Sequence, residues 1–179
     1  AELSIDDFDD IEGVDENFKQ ELISGAGLTG NVSLLELSLG ELKRIFETHP
    51  WICNARVERC FPHSLHVTVE KEVPVAVVLM ERVFYMNTKG RIFKAVDLDE
   101  SLDFPVVTGV STLAAEAREQ LRQAAHIIDC LGRQEAPWCL EGLSEVHMGA
   151  EGYASLYFEH LDAEIKTAWK DVEGKIPGL

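Results

Sequence analysis

The chain has 179 residues and a formal net charge of −16, and 46% of its residues are hydrophobic. This length and composition predict a folded globular protein with one large domain or two small ones, while the excess of acidic groups argues against binding to nucleic acid or anionic lipid, whose phosphates it would repel. The longest uncharged run, residues 22–35, is shorter than the roughly 20 apolar residues of a spanning helix, and no signal peptide precedes the first acidic segment, as expected for a mature piece of a longer protein.

The first part of the chain predicts a strand followed by two helices. Residues 1–14 combine acidic and apolar side chains and are expected to form an edge strand entering a domain. One helix is predicted to begin at Asp15, and a second follows Ser38, which forms a capping-box pattern with Glu41. Pro50 ends this second helix, because the residue before a proline disfavours helical geometry. Its buried stripe is expected to contain Leu39, Leu42, Ile45 and Phe46.

A β-hairpin is predicted next, from two alternating segments joined by Pro62–Ser64. This loop sets a register in which Val57 lies opposite Val69 and Arg56 lies opposite Glu70, so that apolar residues share one face and an ion pair lies on the other. The residues predicted to face the core from the first strand are Trp51, Cys53, Ala55 and Val57.

After Pro74 the strands become continuously apolar, which indicates a second sheet covered on both faces. Helical spacing predicts one helix over residues 112–131, with Gly132 as its stop, and Asp162 is expected to cap a last helix that ends near residue 172. The strands predicted in this part cover residues 75–80, 83–87, 92–93, 104–109, 138–140, 143–148 and 153–159.

The four cysteines show neither a CxxC motif nor zinc spacing. Cys53 is expected to be a buried thiol, and Cys60 with His66 offers too few ligands for a metal. Cys130 ends a predicted helix and Cys139 follows a short turn, so the sequence leaves open whether these two form a disulfide.

No motif in the chain predicts catalysis, a cofactor or a metal. Residues 25–30 match GxGxxG, but they follow a helix instead of a strand, so we interpret them as a loop that ends that helix. Residues 6–10 lack the ligand spacing of a calcium loop. Neither HExxH nor GxSxG is present, and no pair of acids can be singled out for acid–base chemistry. We therefore expect a protein that is not an enzyme.

A set of spaced positions between residues 38 and 109 carries a resemblance to a known family. The positions are Pro50, Trp51, Ile52, Ala55, Val57, Arg59, Pro62, Leu65, Val67, Val69, Glu70, Pro74, Ala76, Tyr85, Met86, Asn87, Gly90, Phe93, Phe104, Pro105 and Val106. In this pattern the chain resembles the FtsQ/DivIB family of bacterial cell-division proteins. It departs from the family at Asn87, where an aspartate is usual, and at Glu70, which lies four residues before Pro74 instead of three.

The resemblance implies an α+β fold with two domains. A POTRA domain of order β-α-α-β-β is expected over residues 1–72, followed over residues 73–179 by a mixed, mostly antiparallel sheet with helices, called the β domain. The family continues past the final helix into another strand, which we expect to be missing here. The resemblance further implies a single-pass protein of the inner membrane, with this fragment on the periplasmic side and a membrane helix before it.

The function that the resemblance implies is a non-enzymatic scaffold that recruits FtsB and FtsL to the division septum. We expect these partners to add a strand to a sheet edge near the end of the chain, with Tyr153, Ser155 and Tyr157 on one face of the last strand as candidate anchors. Alternatively, that strand is flanked on both sides and the partner edge lies wholly in the residues missing beyond Leu179. Two other functions stay open: a POTRA-bearing transport or secretion component that binds extended peptides, and a hydrolase with scattered catalytic residues.

Overall fold

The chain divides into two compact units, residues 1–72 and 73–179. The structure, a computed structural model, describes the following residues: 2–3, 11–12, 16–25, 32–33, 38–60, 64–97, 102–134, 139–149, 152–161 and 164–169.

The first unit combines two helices with a small sheet. Three of its strands form one sheet in the order β2-β5-β4, with β2 parallel and β4 antiparallel to β5, and β1 pairs with β3 separately. The predicted order β-α-α-β-β is confirmed by β2, α1, α2, β4 and β5. In chain order its elements are β1 (Glu2–Leu3), β2 (Ile11–Glu12), α1 (Glu16–Gly25), β3 (Val32–Ser33), α2 (Leu39–Glu47), β4 (Ile52–Cys60) and β5 (Ser64–Lys71).

The core of this unit lies between the helices and the sheet. The predicted apolar stripe of α2 is confirmed for Leu42 and Phe46, which are fully buried. Leu39 is half-buried and packs against this core, whereas Ile45 is half-buried and lies outside it. The predicted capping box is wrong: the Ser38 side chain makes no cap hydrogen bond, and its carbonyl accepts from the backbone N–H of Glu41 and Leu42 instead. The buried residues of this core are Leu22, Ile23, Leu42, Phe46, Ile52, Ala55, Leu65, Val67 and Val69.

The hairpin of β4 and β5 is confirmed, but its register differs from the prediction by two residues. Val57 lies opposite Val67, and Arg56 lies opposite Thr68. The predicted Arg56–Glu70 pair is therefore wrong, and the Arg56 guanidinium instead contacts the carboxylate of Glu58 on its own strand at 2.7 Å. A shift of two residues keeps each side chain on its face, because strand side chains alternate with period two.

A β-bulge near the start of β4 reverses the faces predicted there. The register shifts between Ile52 and Asn54, so one extra residue is accommodated and the alternation changes phase. Ile52 is consequently only 2% exposed, whereas Cys53 and Trp51 are half-buried. The prediction that Trp51 and Cys53 face the core, with Cys53 as a buried thiol, is wrong for this reason.

Strand β4 lies at the edge of its sheet, and α2 covers part of that edge. The backbone N–H of Ala55 donates a hydrogen bond to Oε1 of Glu47, the last residue of α2, at 3.2 Å. Lys43 Nζ lies 3.5 Å from the same carboxylate and 3.5 Å from Asn54 Oδ1. A strand donor that would otherwise face outward is thus satisfied by a carboxylate.

The second unit is built on a sheet of seven strands in the order β12-β11-β10-β9-β6-β7-β8. Strand β9 runs parallel to both β6 and β10, and the other neighbours are antiparallel. The α+β class and the predicted second sheet are confirmed. Its elements are β6 (Pro74–Leu79), β7 (Val83–Asn87), β8 (Ile92–Ala95), β9 (Val106–Thr108), α3 (Ala114–Gly132), a 3-10 turn (Leu140–Gly142), β10 (Leu143–Met148), β11 (Tyr153–Phe158) and β12 (Glu164–Ala168).

Helix α3 packs on one face of this sheet and forms the larger core with it. Its apolar residues recur at helical spacing, so one stripe of the helix is buried while the opposite side carries charges. The fully buried side chains of this core include Val78, Met86, Val107, Val146 and Met148 from the strands and Ala124, Ile127 and Leu131 from the helix.

The turn between β7 and β8 explains two positions of the resemblance. The buried Asn87 accepts hydrogen bonds through Oδ1 from the backbone N–H of Lys89 and Arg91, at 3.0 and 2.9 Å, so its amide oxygen makes contacts that a carboxylate oxygen could also make. Gly90 has φ of +73°, and a Cβ on it would lie 2.6 Å from the carbonyl oxygen of Leu121. Glycine is therefore required here by both backbone geometry and space.

Two other predictions for the second unit are corrected, and one question that the sequence left open is answered. Residues 164–168 form strand β12 instead of a helix, and the predicted cap Asp162 lies outside the described residues. Leu140 begins a 3-10 turn where a strand was predicted. All four cysteines lie within the described ranges and each is a thiol, so Cys130 and Cys139 form no disulfide.

The reversed faces near the bulge in β4 can be tested by substituting two adjacent residues. We expect Ile52→Ala to lower the free energy of unfolding by about 2–5 kcal/mol, because it opens a cavity in the core. Cys53→Ala is the matched control and should cost about 1 kcal/mol or less. Urea denaturation of both variants measures the difference, and a larger loss for Cys53→Ala would contradict the reversed faces.

Candidate functional site

The three residues predicted to anchor a partner all lie on β11 and share its outer face. Tyr153 and Tyr157 are 54% and 36% exposed, and Ser155 between them is buried. Strand β11 is paired on both sides, with β10 and with β12. The alternative that this strand is flanked on both sides is therefore confirmed, and the expectation that β11 is left uncovered is wrong. The role of the three side chains stays a prediction.

The edge of the sheet is β12. It pairs with β11 from Tyr153 opposite Ala168 to Tyr157 opposite Glu164, and its other side meets no strand within the described part of the chain. The backbone N–H and C=O groups on that side are consequently available to an added strand. Its side chains alternate, with Glu164 and Lys166 exposed on the outer face and Thr167 buried beneath.

Three polar side chains connect β12 to β11 on the outer face. The Ser155 hydroxyl donates to Glu164 Oε1 at 2.5 Å, and Lys166 Nζ lies 3.5 Å from Glu164 Oε2. The hydrogen bond from Ser155 is the largest effect on the pKa of Glu164 and lowers it from its ordinary value of 4.5. Desolvation is the next largest effect and opposes this, and the charge of Lys166 lowers the pKa further. Glu164 is therefore ionised at neutral pH and holds the edge strand in register.

Tyr157 lies directly opposite Glu164 and next to Glu145. Desolvation, and then the charge of Glu164, raise the pKa of the Tyr157 phenol. The phenol consequently stays protonated at neutral pH, and its hydroxyl is hydrogen-bonded to Glu164 on the neighbouring strand.

A second polar network continues this outer face across β9 and β10. The parallel register sets Thr108 beside His147 and Val106 beside Glu145. The Thr108 hydroxyl donates to Glu145 Oε1 at 2.5 Å and lies 2.8 Å from His147 Nδ1, which is then the donor to the hydroxyl oxygen. The network lies on the outer face of the sheet, and His147 is exposed there. Water competes for the hydrogen bonds of these three side chains. The arrangement therefore suits the binding of a partner better than proton transfer.

Trp169 follows β12 and ends the described chain. Its indole packs against the core of the second unit, yet its buried Nε1 has no hydrogen-bond acceptor among the residues that the structure describes. An unsatisfied buried N–H costs about 1–3 kcal/mol. The side chain at the end of the edge strand is therefore less completely hydrogen-bonded than the buried polar side chains of the strands inside the sheet.

Neither a metal centre nor a helix that could cross a membrane occurs in the described part of the chain. No three histidine, cysteine, aspartate or glutamate side chains there come together as metal ligands. None of the helices in those ranges has both the length and the apolar character required to cross a membrane.

The sequence contained a signal for β12 that the interpretation missed. Glu164, Ile165, Lys166 and Thr167 alternate between polar and β-branched residues, a pattern that predicts a half-buried strand. The aspartate at position 162 suggested a helix cap instead. The network of Thr108, Glu145 and His147 had no comparable signal, because it depends on the pairing of distant strands.

The contact between β11 and β12 generates a prediction about pH. Ser155→Ala should raise the pKa of Glu164 toward 4.5, because the carboxylate loses its strongest hydrogen bond. Because the folded pKa lies below 4.5 in the native chain, Glu164 contributes stability above pH 4.5 that is lost as the pH falls through the folded pKa. In Ser155→Ala, the loss of stability that Glu164 causes on acidification should therefore be smaller.

The measurement is an NMR titration of the Glu164 side-chain carboxyl carbon. Ser144→Ala is the matched control, since its hydroxyl donates to the Tyr157 carbonyl and not to Glu164. An unchanged pKa in Ser155→Ala, or an equal rise in the control, would contradict the assigned contact.

The unsatisfied indole generates a second prediction. Trp169→Phe removes the buried N–H while keeping most of the ring, so we expect a change in stability within about 1 kcal/mol of zero or a gain. Trp169→Ala removes the packing as well and should cost about 3–5 kcal/mol. Thermal unfolding of both variants checks the pair; a loss in Trp169→Phe as large as in Trp169→Ala would show that the N–H has an acceptor.

Comparison with known protein families gives a match to most of the first unit. The family model described as "POTRA domain, FtsQ-type" matches residues 11–71, which contain β2 to β5 of the first unit. The matched segment therefore includes the three-stranded sheet and both helices.

Several curated proteins are similar over most of the chain, and each of the following is named cell division protein FtsQ. A Myxococcus fulvus protein is 33% identical over 147 residues, which are 79% of this chain and 51% of the relative. A Geobacter protein is 32% identical over 145 residues, 78% of this chain and 52% of the relative. An Anaeromyxobacter protein is 30% identical over 176 residues, 94% of this chain and 58% of the relative. The chain thus spans about half the length of the curated relatives it matches.

Proposed function

Because this chain belongs to the FtsQ/DivIB family of bacterial cell-division proteins, we propose that it is the extracytoplasmic part of a non-enzymatic scaffold that recruits FtsB- and FtsL-like proteins to the division septum. In this proposal residues 1–72 are the POTRA domain and residues 73–179 the β domain. Both lie on the periplasmic side of the inner membrane, and a single membrane helix elsewhere in the full-length protein anchors them.

The observation that carries the proposal is the open edge of β12. An incoming partner strand can pair with the backbone groups that β12 does not share with β11, so main-chain hydrogen bonds supply the affinity. Side chains beside the edge then supply the specificity. Glu164 and Lys166 present opposite charges on the outer face, and Tyr153 and Tyr157 next to them present exposed aromatic surface.

The alternative function, a transport or secretion component that binds extended peptides, is less well supported. The matching model is the FtsQ type of POTRA domain, and the relatives compared carry a division name. In the first unit, the edge of β4 is occupied at Ala55 by the carboxylate of Glu47. That contact weakens the case for peptide addition at β4.

The proposal is tested with a synthetic peptide from the FtsB-like protein of the same organism, titrated into this chain by isothermal calorimetry. Two further peptides carry N-methyl groups on alternate residues, one on the odd and one on the even positions. Because successive N–H groups of a strand point to opposite sides, one methylated peptide should lose about 10- to 100-fold in affinity, as expected for two or three lost hydrogen bonds. The other should bind like the parent peptide.

Two matched charge reversals identify which edge of the sheet binds the peptide. Lys166→Glu changes β12, and Lys89→Glu makes the same change in an exposed turn near the opposite edge of the sheet. Only Lys166→Glu should alter the affinity. Equal binding of both methylated peptides, or absence of binding by the parent peptide, would overturn the proposal.

A further inference from the structure

The sheet of the second unit forms a cleft at one of its ends, and the strand directions explain its position. Strands β6, β9 and β10 run parallel, so their first residues meet at the same end, with Val77 level with Val106 and Val106 level with Glu145. Strand β11 is antiparallel to β10, so its last residue, Phe158, lies beside Leu143, the first residue of β10. The segments that enter these strands therefore converge on one place.

The cleft has a volume of about 550 Å³, within the range of roughly 300–1,000 Å³ that is usual for ligand sites. Its apolar lining includes Leu102 and Phe104, which precede β9, and Leu140 from the 3-10 turn. Leu102 is 37% exposed and both other side chains are only half-buried. The cleft thus offers apolar surface that the fold itself does not cover.

Three carboxylates surround this apolar surface. Asp103, Glu141 and Glu159 line the cleft and all are exposed. Within the described ranges none of their carboxylates forms an ion pair or hydrogen bond, unlike Asp97, which contacts Lys94, or the paired carboxylates on α3. The described lining contains no lysine, arginine or histidine, and the whole chain carries a net charge of −16. The negative charge at the cleft is therefore uncompensated.

We infer that this cleft binds a basic, amphipathic segment of a partner protein, with a large apolar side chain in the cleft and lysine or arginine residues on either side of it. The apolar side chain gains by leaving water, and the flanking cations neutralise the three carboxylates at short distance. An exposed acidic rim alone would bind cations weakly and without selection. The combination with an apolar floor selects for a segment that carries both features.

This surface is separate from the β12 edge. None of the residues lining the cleft belongs to β12, and the recognition depends on side chains instead of backbone pairing. Binding at the cleft can therefore succeed or fail without regard to strand addition at β12.

The experiment uses the 179-residue chain and a fluorescent probe peptide, acetyl-Arg-Arg-Leu-Phe-Arg-Arg-amide, measured by fluorescence anisotropy at fixed ionic strength. We expect a Kd of about 10–100 μM. One comparison peptide replaces Leu-Phe with Ser-Ser, and another replaces every arginine with glutamate. Each should bind at least about tenfold more weakly, because each lacks one of the two features.

Two triple variants separate the cleft from the overall charge. Asp103→Asn, Glu141→Gln and Glu159→Gln together neutralise the rim, and Glu41→Gln, Glu70→Gln and Glu81→Gln together remove the same charge from exposed positions outside the lining. The rim variant should weaken binding of the probe about tenfold or more, and the control should stay within about twofold. Thermal melts confirm that both remain folded.

A single variant tests the apolar floor. Leu102→Ser should weaken the Leu-Phe probe several-fold and leave the Ser-Ser peptide unchanged, since only the first buries an apolar side chain. An equal loss in the two triple variants would assign the binding to net charge alone and overturn the proposal. So would a probe that does not bind, or a Ser-Ser peptide that binds as tightly as the probe.

Discussion

The parallel pairing of β9 with β6 and β10 is the constraint on which the second unit depends. This strand has only three residues, and its central Val107 is fully buried in the core that α3 shares with the sheet. Parallel neighbours need a long connection, which α3 supplies between β9 and β10. Because β9 aligns the starts of three strands, it forms the cleft at one end of the sheet. Because it sets Thr108 beside His147, it also extends the polar outer face toward β11 and the edge.

The two candidate binding surfaces of this unit differ in physical character. The β12 edge offers backbone groups, which any extended segment can satisfy, so its selectivity must come from the few side chains beside it. The cleft offers shape, apolar area and charge, and it selects through all three at once. A scaffold with both kinds of surface can hold a partner by a strand and another segment by its side chains, and each contact responds differently to salt. Ionic screening weakens the carboxylate rim, whereas main-chain pairing is largely insensitive to it.

Local patterns predicted the elements of this fold well, and pairing between distant residues explains what they missed. The stripe of Leu42 and Phe46 and the limits of β7 and β10 follow from periodicity in adjacent residues. The hairpin register depended on which residues form the loop, and the extra residue near Cys53 reversed the faces without any local signal. In the same way, the exposure of Tyr153 and Tyr157 followed from alternation, but their place inside the sheet depended on β12. The cleft could not be predicted, because Leu102, Leu140 and Glu159 are distant in sequence.

The hydrogen bond between Ala55 and Glu47 has a consequence for how molecules of this protein meet one another. Unpaired strand edges act as templates for association between identical chains. For a second chain to pair with β4 at Ala55, its carbonyl would have to displace the Glu47 carboxylate, which would lose its backbone donor and keep only the contact with Lys43. Glu47, the last residue of α2, thus opposes self-association through β4. In the first unit part of the β4 edge is closed in this way, whereas in the second unit the edge of β12 meets no further strand within the described residues.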